Sequence, residues 1–171
     1  MSKNNMEAQN LKGFPEVSEA EMRKTVTEYI NYITKTRTDT LNAIFDPEII
    51  ACDPETPSVT ICFPITENMQ NTSGMAHGGV ITTAFDITMG MMSRGFQHGR
   101  RSPTLTMTID FIKPVKAGKG FLVTVKPVAI AKHTIDYEAI GTVSDEPDVI
   151  VNRCTGKFFI YDAIDEKFFT K

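Results

Sequence analysis

The fold of this chain is decided by the stretch NTSGMAHGGVITTAFD, which spans residues 71–86. It opens in turn-forming residues, passes through His77-Gly78-Gly79 and continues as the most apolar helical segment of the sequence. This helix is predicted over residues 78–94, with Gly95 as its stop. A helix that is apolar on most sides is expected in a core. One carboxylate, Asp86, interrupts the apolar run, and a buried carboxylate is costly unless it is paired or used in chemistry.

Asp86 shares one stripe of this helix with small and hydroxyl-bearing residues. Helical spacing places Gly79, Thr83, Asp86, Gly90 and Ser93 on that stripe, between large apolar side chains. Such a groove would let a ligand or another backbone approach Asp86. One interpretation is structural, with Asp86 hydrogen-bonded to a neighbouring hydroxyl. The other is functional, with Asp86 as a general base or a nucleophile.

The start of the helix offers a second polar feature. Backbone N–H groups at a helix N-terminus lack partners and favour negative charge, and Gly78 and Gly79 would let an oxygen come close. A Gly-Gly pair before a helix is also a common turn, and His77 is expected to form hydrogen bonds rather than to transfer protons. His77 and Asp86 are nine positions apart, or about 13 Å along the axis. A site that used both ends would therefore be shared by two antiparallel helices across a two-fold axis.

The segments on either side of this helix predict an α+β fold. Ser18 and Glu21 have capping-box spacing for a helix over 18–36, which would serve in packing or as a lid. Strands are predicted over 47–52, 58–64, 104–112, 121–131, 134–143 and 149–161, with a turn at 53–57. In the third strand, strict alternation puts Leu105, Met107, Ile109 and Phe111 on one face and Thr104, Thr106, Thr108 and Asp110 on the other. We expect an antiparallel sheet curved around the long helix.

Composition narrows the class of protein. The chain has 171 residues, 41% of them hydrophobic and 23% charged, which suits one domain with a real core. A net charge of -3 without a basic run gives no argument for nucleic acid. Three separated cysteines and three histidines argue against a disulfide framework or a metal site. No apolar run is long enough to span a membrane, and residues 1–13 are polar and lack the apolar core of a signal peptide, so a cytoplasmic protein is predicted. Residues 1–14 are expected to be a disordered leader.

The order and spacing of Asn71, Gly74, His77-Gly78-Gly79 and Asp86 resemble the N-x-x-G-x-x-H-G-G-x6-D signature of hotdog-fold acyl-CoA thioesterases. The resemblance is to the phenylacetic-acid-pathway and thioesterase superfamily member 2 type. Residues 104–114, followed by Ala117-Gly118, are similar to the next strand and turn of that family. On this basis the chain divides into a leader with a helix (1–44), a hotdog domain (45–162) and a tail (163–171).

The resemblance implies a hotdog fold, homodimers or dimers of dimers, and hydrolysis of acyl-coenzyme A without a metal or organic cofactor, since coenzyme A is part of the substrate. Asp86 would be the general base or nucleophile, and the Gly78 N–H would polarise the thioester from the facing subunit. Asn71 and His77 would orient the thioester, and Thr104 would position water. The remaining substrate contacts would come from Gly79, Thr83, Arg101, Lys113, Lys116 and Lys132. Where many relatives have Gly-Arg, this chain has Ala131-Lys132-His133, so its phosphate contacts differ in detail.

Two other functions fit the same fold. A non-catalytic acyl-CoA-binding or sensing protein would need no carboxylate on the central helix and would often carry an effector segment, for which residues 1–44 are short. A hotdog dehydratase would use a histidine and an acid as a pair, whereas His77 precedes the helix here. Asp86 favours the thioesterase.

Overall fold

The structure is a computed structural model that describes residues 17–162, except 54, 98 and 99. Its helices are α1 (Glu19–Asn31), α2 (Leu41–Ile44) and α3 (Gly78–Phe96). Its strands are β1 (Glu48–Asp53), β2 (Ser58–Pro64), β3 (Thr104–Phe111), β4 (Gly120–Ile130), β5 (Thr134–Val143) and β6 (Asn152–Phe159). The predicted leader and tail lie outside the described residues, and the domain division remains a prediction.

The strands form one sheet in the order β1-β2-β4-β5-β6-β3, and every neighbouring pair is antiparallel. Hairpins join β1 to β2 and β4 to β5, whereas β3 crosses over to pair with β6. This arrangement leaves β1 and β3 as the two edges of the sheet. The curved antiparallel sheet with a long helix confirms the predicted α+β architecture.

The core lies between α3 and the inner face of the sheet. Alternate residues of β2, β4, β5 and β6 are buried, as period-2 patterning predicts. The Phe85 ring of α3 meets the Phe121 ring of β4 edge to face at 5.9 Å. The Ser93 and Tyr137 hydroxyls are hydrogen-bonded at 2.6 Å, and burial raises the pKa of Tyr137.

Glycines on the inner face allow the helix and the rings to come this close. A Cβ atom at Gly141 would lie 2.6 Å from the Phe121 ring and 3.2 Å from the Phe85 ring. A Cβ atom at Gly156 would collide with the sulfur of Met89 on α3. Gly141 lies on β5 and Gly156 on β6, two central strands of the sheet. Because neither residue has a side chain, α3 can pack close to the sheet at these two positions.

The helix α1 packs against α3, and its start has the predicted capping box. The Ser18 hydroxyl accepts from the Glu21 N–H at 3.3 Å, and the Glu21 carboxylate accepts from the Ser18 N–H at 3.1 Å. Met22 and Val26 are fully buried, and the segment Tyr32–Thr36 continues α1 as a π-helical turn. Of the two predicted roles, packing is the one that these contacts support.

Three sequence predictions need correction. Gly95 does not end α3, which continues to Phe96. A Cβ atom at Gly95 would lie 3.3 Å from the Val26 side chain of α1, so the glycine allows α1 to pack closely against α3. The last strand is Asn152–Phe159 rather than 149–161, because the chain before it turns and the Val151 N–H donates to the Gly141 carbonyl. Asp86 is half-buried in the single chain rather than fully enclosed.

Among the helices that the structure describes, none is long and apolar enough to cross a membrane.

We expect Gly141→Ala to lower the free energy of unfolding by about 1–3 kcal/mol, because the added methyl group overpacks against two buried rings. Gly90→Ala is the matched control, since a Cβ there meets nothing within 4 Å and alanine favours a helix by about 0.5–1 kcal/mol. Urea denaturation measures both changes. Equal effects of the two substitutions would contradict this account of the packing.

Candidate active site

His77 caps the N-terminus of α3 with its own ring. Its backbone is extended (φ -63°, ψ 139°), and its Nδ1 accepts from the Gly79 N–H at 2.9 Å. An accepting Nδ1 carries no proton, so the neutral ring holds its proton on Nε2. The ring is exposed, and the Nε2–H therefore remains as a donor at the start of the helix. This agrees with the hydrogen-bonding role predicted for His77.

The Gly78 N–H is the second donor at this end. The Gly79 N–H donates to the His77 ring, and the Val80 and Ile81 N–H groups donate to the His77 carbonyl. Within the part of the chain that the structure describes, the Gly78 N–H has no acceptor. The helix dipole favours negative charge at this position. An oxyanion is the kind of ligand that this N–H suits.

The loop before the helix explains the spacing from Asn71 to Gly74. The Asn71 Oδ1 accepts from the Ser73 N–H at 2.9 Å and from the Met75 N–H at 3.2 Å. Gly74 has φ +76° and donates to the Asn71 carbonyl at 3.0 Å, which closes a tight turn. The His77 N–H then donates to the Met69 carbonyl. Through its Oδ1, Asn71 thus holds the loop that delivers His77.

Asp86 lies two turns further along α3 and is bound by Thr104 at the start of β3. The Thr104 hydroxyl donates to the Asp86 Oδ1. A hydroxyl bonded to Asp86 is what the structural interpretation of Asp86 predicts, whereas the family resemblance implies only that Thr104 positions water. The strand pattern by itself argues against Thr104 as that hydroxyl. Strict alternation placed Thr104 on the face opposite Met107 and Phe111.

A β-bulge in β3 explains why Thr104 contacts Asp86 although alternation places it on the opposite face. The register of β3 on β6 pairs Thr104 with Phe158, Thr106 with Lys157 and Met107 with Gly156, so Leu105 is an extra residue. Phe158 and Gly156 are buried on the inner face, and paired residues share a face. The extra residue therefore turns Thr104 to the inner face, where Asp86 lies. The predicted alternation is wrong at Thr104 for this reason.

The predicted small-residue stripe is only partly correct. Gly79 is exposed, Asp86 and Gly90 are half-buried, and the Thr83 hydroxyl donates to the Gly79 carbonyl at 2.8 Å. These four residues line an accessible face of α3. Ser93 does not belong to it, because its side chain is fully buried and hydrogen-bonded to Tyr137.

The predicted phosphate-binding cations fall into two groups at opposite ends of the sheet. Arg101 and Lys132 lie near Thr104, where the Tyr161 N–H donates to the Arg101 carbonyl and the Ile160 N–H donates to the carbonyl of His133. Lys113 and Lys116 lie near the start of α3, where Lys116 pairs with Met75. All four are exposed. One chain alone therefore does not bring them together.

Two further residues near the site were not singled out from the sequence. Burial raises the pKa of the Cys154 thiol to about 12, with a further contribution from the charges of Asp86 and Asp110. This thiol stays protonated at neutral pH, so it offers no nucleophile. The Asn152 side chain is 1% exposed beside Phe111, and its Oδ1 has no partner among the described residues. Neither position has a sequence signal, because both occupy ordinary inward sites of a strand.

No group of three or more His, Cys, Asp or Glu side chains in the described ranges could hold a metal ion.

Comparison with known proteins identifies a family match for part of the chain and the fold. Residues 73–150, slightly under half of the chain, match the family model of the thioesterase superfamily. This segment contains the His77-Gly78-Gly79 cap, Asp86 and Thr104. No curated protein matches the sequence.

Solved structures match most of the chain at low sequence identity. The PaaI protein of the Escherichia coli phenylacetic acid degradation operon has a TM-score of 0.71 at 18% identity, covering 85% of this chain and 97% of that one. A Streptococcus mutans protein bound to acetyl-CoA has a TM-score of 0.61 at 22% identity, covering 70% and 91%. A hypothetical thioesterase from Streptococcus pneumoniae, solved with coenzyme A, has a TM-score of 0.61 at 20% identity, covering 70% of this chain and 91% of that one. The family match and the shared fold confirm the resemblance to hotdog-fold thioesterases of the PaaI type.

The cap at His77 has a measurable consequence. We expect His77→Ala to lower the free energy of unfolding by about 1 kcal/mol, because the Gly79 N–H loses its acceptor. His77→Asn should restore most of this loss, since the asparagine side chain is a good N-cap. Equal loss in both variants, measured by urea denaturation, would show that the ring contributes by packing instead.

Proposed function

We propose that this protein is an acyl-CoA thioesterase that hydrolyses an acyl-coenzyme A thioester to the free acid and coenzyme A. The observation that carries the proposal is the half-buried carboxylate of Asp86, which lies on the accessible face of α3 with the Thr104 hydroxyl bound to it. The hydrogen bond by itself also fits the structural interpretation of Asp86, and the activity of Asp86→Asn decides between the two. The thioesterase-superfamily match and the acetyl-CoA and coenzyme A bound to proteins of the same fold support it.

The active site in this proposal is shared by two copies of the chain. Gly78 and Asp86 are eight residues apart on one rigid helix, or about 12 Å at 1.5 Å per residue. Within one copy, the Gly78 N–H and the Asp86 carboxylate are too far apart to contact the same thioester carbonyl. The second copy must then present its helix N-terminus to Asp86.

The free edge of β3 offers a way to bring the second copy into place. No strand lies beyond β3 in the described part of the sheet, and Leu105, Phe111 and Ile112 on this edge are 50%, 58% and 50% exposed. An exposed apolar edge favours pairing with another strand. An antiparallel pair of two β3 strands, centred near Met107 and Thr108, would set Thr104 of one copy opposite Phe111 of the other.

Such pairing also aligns the proposed catalytic groups. A Cβ at Gly78 would lie 3.5 Å from the Phe111 ring of its own chain, so Phe111 marks the position of the helix start. Placing Phe111 opposite Thr104 of the other copy brings the Gly78 N–H towards that copy's Asp86. The same pairing unites Arg101 and Lys132 of one copy with Lys113 and Lys116 of the other, which resolves their separation in the single chain.

The chemistry follows from these positions. As a general base, Asp86 removes a proton from a water molecule that the Thr104 oxygen holds, and the water oxygen attacks the thioester carbon. The Gly78 N–H of the other copy stabilises the oxyanion, aided by the His77 Nε2–H. When the C–S bond breaks, the proton on Asp86 passes to the coenzyme A sulfur. In the alternative, the Asp86 carboxylate attacks the thioester carbon and expels the coenzyme A thiolate, which takes a proton from water. A water molecule then cleaves the resulting anhydride, which releases the acid and restores Asp86.

A protein that only binds acyl-CoA would not need the Asp86–Thr104 pair. We expect Asp86→Asn to reduce kcat by about 10²–10⁴-fold, because the general base or nucleophile is lost. Thr104→Val should reduce kcat less, by roughly tenfold, with little change in KM. Thr106→Val is the matched control, since Thr106 lies on the outer face of the same strand. The assay is release of free thiol from a panel of acyl-CoA thioesters.

Retention of full activity by Asp86→Asn would contradict the assigned chemistry. Binding of acyl-CoA without hydrolysis of any panel member would favour the sensing protein instead.

The proposed oxyanion donor can be removed with little change to the helix. Gly78 is the first residue of α3, where proline is well accepted, and the extended backbone of His77 suits a residue before proline. Because Gly78→Pro removes the N–H at a helix position that accepts proline, we expect kcat/KM to fall by about 10²–10³-fold while the thermal midpoint changes little. The added ring lies beside Phe111, and Gly78→Ala controls for the added carbon. Gly78→Ala retains the N–H and should lose much less. A fully active Gly78→Pro enzyme would exclude this donor.

A further inference from the structure

Three aromatic rings gather at the end of the sheet where β3 begins. The His133 ring stacks on the Phe159 ring at 5.9 Å between centroids and 13° between planes. The Tyr161 ring meets Phe159 edge to face at 5.1 Å. We call His133, Phe159 and Tyr161 the aromatic rim. Because Phe158 and Ile160 are buried on the inner face, alternation puts Phe159 and Tyr161 on the outer face.

Backbone hydrogen bonds tie the aromatic rim to the catalytic strand. The Tyr161 N–H donates to the Arg101 carbonyl at 3.1 Å, and the Phe159 N–H donates to the Pro103 carbonyl at 2.9 Å. Thr104 follows Pro103 directly. Arg101 lies three positions before Thr104, so at most about 10 Å of chain separates the Tyr161 end of the aromatic rim from Thr104.

The aromatic rim is accessible and carries positive charge beside it. Tyr161 is 48% exposed although it extends a strand whose inward neighbours are fully packed. Lys132 directly precedes His133 in the sequence, and the backbone of Arg101 is hydrogen-bonded to that of Tyr161; both residues are exposed. One carboxylate is also present, since the Asp162 Oδ1 lies 3.9 Å from the His133 Nδ1.

We propose that the aromatic rim binds the purine base of a nucleoside diphosphate, with Lys132 and Arg101 near its phosphates. Aromatic faces bind any nucleobase by stacking, and neighbouring cations bind its phosphates. In the proposed thioesterase this nucleotide is the adenine end of coenzyme A, so the inference rests on the proposed function. The adenine end enters over the rim while the thioester lies at Asp86. Tyr161 then contributes to substrate affinity and not to the chemical step.

Substrate truncation tests this assignment. Wild type and Tyr161→Leu are assayed with one acyl-CoA and with the same acyl group on pantetheine, which lacks the nucleotide. For the acyl-CoA we expect Tyr161→Leu to raise KM about tenfold at unchanged kcat, because a base-stacking face is lost. For the pantetheine thioester no change is expected. Tyr161→Phe should restore the affinity. Ile50→Ala removes an equally exposed apolar side chain from the opposite sheet edge and serves as the control.

A binding measurement separates this inference from the proposed function. Adenosine diphosphate is titrated calorimetrically into wild type, Tyr161→Leu and Ile50→Ala, and we expect weaker binding only in Tyr161→Leu. If neither thioester is hydrolysed, the proposed function fails, while the adenosine diphosphate titration still decides the aromatic rim. Equal effects of Tyr161→Leu on both thioesters would overturn the nucleotide assignment. So would equal, or absent, binding of adenosine diphosphate in all three proteins.

Discussion

The fixed rise of an α-helix is the constraint on which the proposed site depends. The N–H of Gly78 and the carboxylate of Asp86 belong to the same rigid helix, α3, and about 12 Å separates them along its axis. No side-chain rearrangement within one chain changes that separation. A reaction that needs an oxyanion donor and a base at one carbonyl must therefore recruit another copy of the helix. The edge position of β3 supplies the surface on which that copy could pair.

The position of α3 follows from the sheet beneath it. Gly141 and Gly156 leave room for the Phe121, Phe85 and Met89 side chains, so the helix lies deep in the curve of the sheet. At that depth Asp86 is within reach of the Thr104 hydroxyl on the edge strand. The hydrogen bond thus joins the central helix to the strand that is proposed to meet the second copy. The Thr104–Asp86 hydrogen bond therefore connects the packing of α3 on the sheet with the edge strand β3 and with the proposed active site.

Much of this was predictable from the sequence, and the errors have identifiable causes. Turn residues, the His77-Gly78-Gly79 start and the apolar run predicted α3, and alternation predicted the strands, because these signals are local. The bulge at Leu105 was missed, because an extra residue in β3 depends on its pairing with β6. Alternation alone put Thr104 on the wrong face, and only the family resemblance connected it with the reaction.

Other errors arose where a distant element decides the outcome. Gly95 has the local signature of a helix stop, but it serves as the contact point for α1, whose approach no local pattern reveals. Ser93 continues the stripe of Asp86 by spacing, yet the hydroxyl of Tyr137, on β5, draws it into the core. The division of the four cations between two ends of the sheet follows from topology. Their common role becomes plausible only when two chains are considered together.

Complementation between two inactive variants tests the shared site most directly. Asp86→Asn and Gly78→Pro are refolded together in equal amounts, and thiol release is compared with that of each variant alone. Each mixed dimer would hold one intact site, so random pairing should restore about a quarter of the wild-type activity. A mixture of Asp86→Asn with Asp86→Ala is the control and should restore none. If the first mixture is no more active than its components, Asp86 and Gly78 do not act across two chains, and the account is contradicted.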